Sequence, residues 1–113
     1  MRRAARWDGW LPQGPATSEA IDTIRRLRDE AGTADRPFAV GHVVGSWLHI
    51  GAPTHEVRPT SCVGSPEQIA ESIRAQLPAG VNQVQVRFDA PSATAYAEQV
   101  EAFGTLVGPL LQP

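Results

Sequence analysis

The chain has only one cysteine, Cys62, among its 113 residues, so an internal disulfide cannot form and no second thiol can complete a zinc ribbon. It also lacks any apolar run close to the ~20 residues that a membrane-spanning helix needs. The opening Met1-Arg2-Arg3-Ala4-Ala5-Arg6-Trp7 has the cations of a signal peptide but no apolar stretch behind them, because Asp8-Gly9 follows at once. A global charge excess is missing too. With a formal net charge of -2 and a pI near 5.9, nothing in the composition reads as a nucleic-acid footprint. Together these absences set the expectation of a cytoplasmic chain with neither membrane nor nucleic acid as partner. Gly41, Gly45 and Gly51 do not form the Gly-x-Gly-x-x-Gly fingerprint that cradles a phosphate between strand and helix.

What is present fits one domain, residues 1–113, with an ordinary 42% of hydrophobic residues. Residues 2–7 read as the tail of a helix. Residues 8–12 read as a short strand closed by Pro12, since proline cannot extend a ladder. Thr17 or Ser18 caps a helix whose apolar stripe is Ile21, Ile24 and Leu27 and whose stop is Gly32. Residues 38–44, small and β-branched, form a buried strand, and residues 45–64 form a long connection of unusual length. The strongest local signal is Ser65-Pro66-Glu67-Gln68. Serine as cap, proline at the first helical position and glutamine three residues after the cap make a capping box, and Ile69, Ile73 and Leu77 then line one helix face. A strand at 81–88 and a helix ending near Pro109 follow. The repeated strand-helix order is the rhythm of a parallel α/β sheet.

The last strand is the most informative element. Side chains alternate faces along a strand, so Val84, Val86 and Phe88 share one side and Gln83, Gln85 and Arg87 the other. In an open sheet the polar side faces water. In a barrel wrapped by helices it points inward, with Arg87 nearest the carboxyl end, where barrel enzymes keep their chemistry.

Four stretches then carry a resemblance: Arg2-Arg3-Ala4-Ala5-Arg6 leading into Asp8-Gly9-Trp10-Leu11-Pro12; Gly64-Ser65-Pro66-Glu67-Gln68-Ile69-Ala70; Gln83-Val84-Gln85-Val86-Arg87-Phe88; and residues 99–110 with Phe103-Gly104 and Val107-Gly108-Pro109-Leu110. In this order the chain resembles the C-terminal portion of luciferase-like flavin-dependent monooxygenases, particularly the deazaflavin-dependent oxidoreductases among them. The resemblance implies a partial (β/α)8 TIM barrel, its last three βα units with parallel strands. It further implies FMN or deazaflavin as cofactor and either oxygen insertion or hydride transfer on a small-molecule substrate. The first five strands, which carry most cofactor-binding and catalytic groups in that family, have no counterpart here. The catalytic and cofactor-binding residues are therefore left unassigned, and the chain is not expected to be competent alone. It departs from the family pattern in three places. The phosphate-holding glycine loop before the first helix is missing, Trp7 abuts Asp8 with one residue fewer, and Asp89-Ala90-Pro91-Ser92 stands where the family has a basic, serine-containing run.

Arg87 and Trp10 are the candidate substrate or anion contacts. Arg87 either pairs with a phosphate, sulfonate or carboxylate or makes an ion pair with Asp89, Glu98 or Glu101. Trp10 either walls a cavity or packs in the core. His42 is a general base or a satisfied core histidine. His49 and His55 are six apart, with no cysteine or carboxylate cluster beside them, so no metal is expected, and Cys62 reads as an inert thiol. A three-stranded parallel segment leaves two sheet edges that invite another chain, so the expected partners are a second copy or a separate N-terminal barrel half. The alternatives are a non-enzymatic α/β interaction module that pairs through an exposed sheet edge, and a translation start misplaced inside a longer reading frame.

Overall fold

A computed structural model describes residues 1–112. The protein is mixed α/β with a small open sheet of four strands, β1 (Gly9–Trp10), β2 (Ala39–Ile50), β3 (Cys62–Gly64) and β4 (Gln83–Phe88). The helices are α1 (Ser18–Ala31), α2 (Pro66–Gln76), α3 (Ala93–Ala102) and α4 (Gly108–Leu111), with a 3-10 turn at Ala4–Arg6 and a π turn at Phe103–Val107. Both β1 and β3 pair parallel with β2. β4 also pairs with β2. The Asn82 N–H meets the Val40 carbonyl and the Asp89 N–H meets the Leu48 carbonyl, so the two strands advance together and β4 too is parallel. Among the described residues no helix is long and apolar enough to cross a membrane.

The chain divides into two compact units, and it passes between them within β2 and within β4. The first comprises Met1–Gly45 and Leu77–Gln85. Thr17 caps α1 by accepting the Ala20 N–H at 3.1 Å, and Gly32 ends it with φ of 74°, a left-handed conformation that glycine adopts without a Cβ clash. The stripe Ile21, Ile24 and Leu27 is buried. Ile24 and Leu27 pack with Ala5 while Ile21 packs with Ala16 and Val40, and Trp10 and Phe38 flank both clusters. The buried Thr33 hydroxyl donates to the Ala5 carbonyl at 2.6 Å and ties the 3-10 turn to the end of α1. Asn82 lengthens the ladder with its side chain, accepting the Val40 N–H at 2.8 Å and donating to the Phe38 carbonyl at 3.0 Å.

The second unit comprises Ser46–Gln76 and the chain from Val86 onward. Its helix α2 starts with the reciprocal box expected from sequence: the Gln68 N–H reaches Ser65 Oγ at 3.2 Å, and the Ser65 N–H reaches Gln68 Oε1 at 2.8 Å. Ile69, Ala70 and Ile73 face inward with no exposed surface, as do Leu48 and Val107. Phe88 meets Tyr96 and Phe103 edge-on at 5.5 and 5.7 Å.

The long connection foreseen at 45–64 is shorter than expected. Here β2 runs on to Ile50, because β3 pairs with Leu48, His49 and Ile50 on one side while the Asp89 N–H takes the Leu48 carbonyl on the other. Strand pairing from both sides overrides the weak β-propensity of Gly45 and Ser46.

Replacement of the fully buried Leu48 or Ile73 by Ala is expected to lower stability by about 2–5 kcal/mol. Ser65→Ala, which removes half of the capping box, is expected to cost about 1 kcal/mol. The exposed Thr94→Ala change should stay within ~0.5 kcal/mol. Urea unfolding followed by circular dichroism checks the order. Equal midpoints for Leu48→Ala and Thr94→Ala would contradict the assigned core.

Candidate functional site

In the second unit, the carboxyl ends of β2 and β4 bring a polar cluster together. Trp47 and His49 share one face of β2 by the two-residue period, and Arg87 and Asp89 share one face of β4. Parallel pairing sets these side by side. The Arg87 guanidinium stands 4.6 Å from the centre of the Trp47 ring, and Arg58, from the loop after β2, stands 4.0 Å from it. Each such contact is worth roughly 0.5–2 kcal/mol, depending on how far it is withdrawn from water.

Asp89 is the hub. It is buried, and both carboxylate oxygens are engaged. Oδ2 accepts the Arg58 N–H at 2.7 Å and the Ser61 hydroxyl at 2.6 Å. Oδ1 lies 3.1 Å from His55 Nε2 and 3.2 Å from Arg58 Nη1. The Ser61 hydroxyl, then the Arg58 N–H, and to a lesser degree His55 and the Arg58 charge, hold this carboxyl well below the usual carboxylate range, outweighing the opposing effect of desolvation. A carboxylate so fully occupied by donors is an anchor rather than a proton acceptor.

The same residue orients two imidazoles. Its main-chain carbonyl, which only accepts, lies 3.0 Å from His49 Nδ1, so that nitrogen carries the proton and Nε2 is the acceptor of a neutral His49 ring. In His55 it is Nε2 that carries a proton and donates it to the carboxylate. The two rings meet edge-on at 5.3 Å. Gln99 of α3 completes the strand end, accepting the Ile50 N–H at 2.8 Å and donating to the Ile50 carbonyl at 3.2 Å. The cluster thus gathers two guanidinium groups on one indole and two imidazoles oriented by a single aspartate residue.

Arg87 therefore belongs to this cluster, and Asp89, one of its foreseen ion-pair partners, is committed to Arg58 and His55. Trp10 instead belongs to the first unit, where it packs against both apolar clusters of α1. His42 is buried there as well, its Nδ1 accepting the Ala16 N–H at 3.1 Å; it is a core histidine, but only half satisfied, because its Nε2 is buried with no hydrogen-bond partner among the described residues. His49 and His55, separate in sequence, are joined through Asp89. Among the described residues no group of three His, Cys, Asp and Glu side chains is arranged to hold a metal ion. Cys62 is a half-buried free thiol in β3. Trp47, Arg58 and Ser61 escaped the sequence reading, and Asp89 entered it only as an ion-pair partner for Arg87. For Asp89 a signal existed, because the period that picks out Arg87 continues two residues on to the first position past the strand. No family model, curated protein or solved structure matches the chain.

The strengthened acidity of Asp89 sets the direction of its pH dependence. A carboxyl more acidic folded than unfolded stabilises the fold above the unfolded value of ~4, and this stabilisation is lost as pH falls from there through the folded value. Wild type is expected to unfold at progressively lower urea concentration below pH ~4, whereas Asp89→Asn should be less stable at neutral pH and show a shallower acid dependence. Urea midpoints measured from neutral to acid pH decide; parallel curves for the two proteins would refute the hub.

Proposed function

We propose that the chain is the C-terminal βα segment of a flavin- or deazaflavin-dependent luciferase-like monooxygenase or oxidoreductase, supplying a wall of the site rather than its catalytic centre. The observation that carries this reading is Arg87 stacked on Trp47 at the carboxyl end of a parallel strand, the end at which barrel enzymes bind ligands. On this reading β1, β2 and β4 are successive strands of a partial (β/α)8 barrel, β1 and β4 leading on to a helix and β2 reaching α2 through the short β3. Gln83, Gln85 and Arg87 would then line its inner wall. Arg87, with Arg58 beside it, takes an anionic group of the cofactor or of a small-molecule substrate, FMN and deazaflavin cofactors both carrying phosphate. Trp10 keeps its packing role. The partner that completes the sheet is a second copy or a separate N-terminal barrel half, in a cytoplasmic setting.

A second reading, the non-enzymatic module that receives a strand, is favoured by one observation. Among the described residues β1 and β4 pair with β2 alone, and an uncovered strand edge is a template for another chain.

Titration of the purified chain with FMN and with a deazaflavin, followed by cofactor fluorescence, separates the two. The cofactor reading expects weak binding that Arg87→Ala weakens about tenfold to a hundredfold, as for a lost charge-assisted hydrogen bond. Arg87→Lys should recover part of it, because the charge remains but the planar fork does not. An unchanged cofactor signal, or equal affinity for wild type and Arg87→Ala, sinks the cofactor reading and leaves the edge-pairing module.

A further inference from the structure

Two surfaces outside the Asp89 cluster carry opposite charge, and each exposes large apolar side chains. At the amino end, Arg2, Arg3, Arg6 and Trp7 line an open depression, and Trp7 is 68% exposed. Arg2 reaches Glu30 at 3.7 Å. Arg3 and Arg6 are exposed and make no ion pair among the described residues. In the second unit, α3 buries none of its residues. Tyr96 and Val100 are exposed one helical turn apart, as are Leu106 and Leu110, and residues four apart share a helix face. Residues 93–112 contain Glu98 and Glu101 and no basic residue. Val100 and Leu106 are each 50% exposed, and the one arginine that reaches this surface, Arg74 on the Leu110 carbonyl, is itself paired with Glu71.

We propose that the arginine and Trp7 depression of one copy receives the acidic, apolar α3–α4 surface of a second copy. The occupant is another copy because the two surfaces complement each other in both respects. Guanidinium groups meet carboxylates, and an exposed indole meets Tyr96, Val100 and Leu106. All ten cations of the chain are arginine, the side chain suited to paired and stacked contacts at interfaces. The two surfaces differ from each other, so the contact is heterologous and runs head to tail, closing into a ring or continuing as a filament. The inference rests on that part of the functional reading which requires a partner chain and does not depend on the flavin part.

The test is molar mass by light scattering on the full chain, at low and high salt. The wild type is expected to exceed the 12.1 kDa of one chain at low salt and to approach it at high salt, because exposed charge pairs are screened. Reversal of the basic patch (Arg2→Glu, Arg3→Glu, Arg6→Glu) and of the acidic patch (Glu98→Arg, Glu101→Arg) should each give monomer. Mixing the two variants should restore the large species, since each then offers what the other lacks. A monomeric wild type at low salt overturns the proposal, as does a large species indifferent to salt. Two monomeric variants that fail to recombine, with native circular dichroism, overturn it as well. Should a variant not fold, Trp7→Ser and Val100→Ser in the wild-type background take its place, each expected to lower the mass; an unchanged mass in both overturns the proposal. Flavin binding is read separately by fluorescence, so its loss and the loss of association are distinguishable.

Discussion

The second unit depends on the buried Asp89 carboxylate. A charge taken out of water without partners costs several kcal/mol, so burial is tolerated only where donors surround it. Here the donors come from His55, Arg58 and Ser61, all in the connection between β2 and β3, which has few apolar residues to hold it down. One carboxylate at a strand end therefore does what a hydrophobic core does elsewhere and gives that loop a fixed course. The consequences spread outward. Arg58 is turned over Trp47, His55 is set against His49, and the Asp89 main chain holds both the Leu48 carbonyl and His49.

Features written in local sequence were legible. The Thr17 cap, the Gly32 stop and the Ser65–Gln68 box each involve groups a few residues apart, and the chemistry of a cap needs no tertiary context. The alternation of β4 was legible too: Gln83 and Gln85 are exposed while Phe88 is buried. What stayed hidden depends on pairing across the chain. Ser46 and Trp47 look like the start of a loop because they open a stretch, residues 45–64, punctuated by three glycines, two prolines and two histidines, yet they lie in a strand whose two sides are occupied by distant segments. Likewise Arg58 and Ser61 carry no periodic signal. They matter only because Asp89, about thirty residues later, is their acceptor.

The charge on Asp89 also shapes the electrostatics of the strand end, where Asp89-Ala90-Pro91-Ser92 follows β4. Read alone, the acidic residue removes an anion contact. In its surroundings it does the reverse, because it draws in Arg58 and leaves Trp47 with a second guanidinium over it. Positive charge at this strand end thus comes from Arg58 in the loop before β3 as well as from Arg87 in β4, and Ser92 caps α3 by accepting the Ala95 N–H.

Compensation of this kind has a physical cost that says which residues can vary. Arg58 spans two tasks, a main-chain N–H and a guanidinium both directed at Asp89, and only the second depends on its side chain. Lysine there would keep the charge near the carboxylate but lose the flat stacking on the indole, since an ammonium is a strongly hydrated point charge. Arg87 has the complementary constraint. Its backbone is committed to a strand and its side chain lies over Trp47. An arginine held over an aromatic ring has already lost much of its rotamer entropy, and a group so positioned binds an anion with less to give up than a mobile surface arginine.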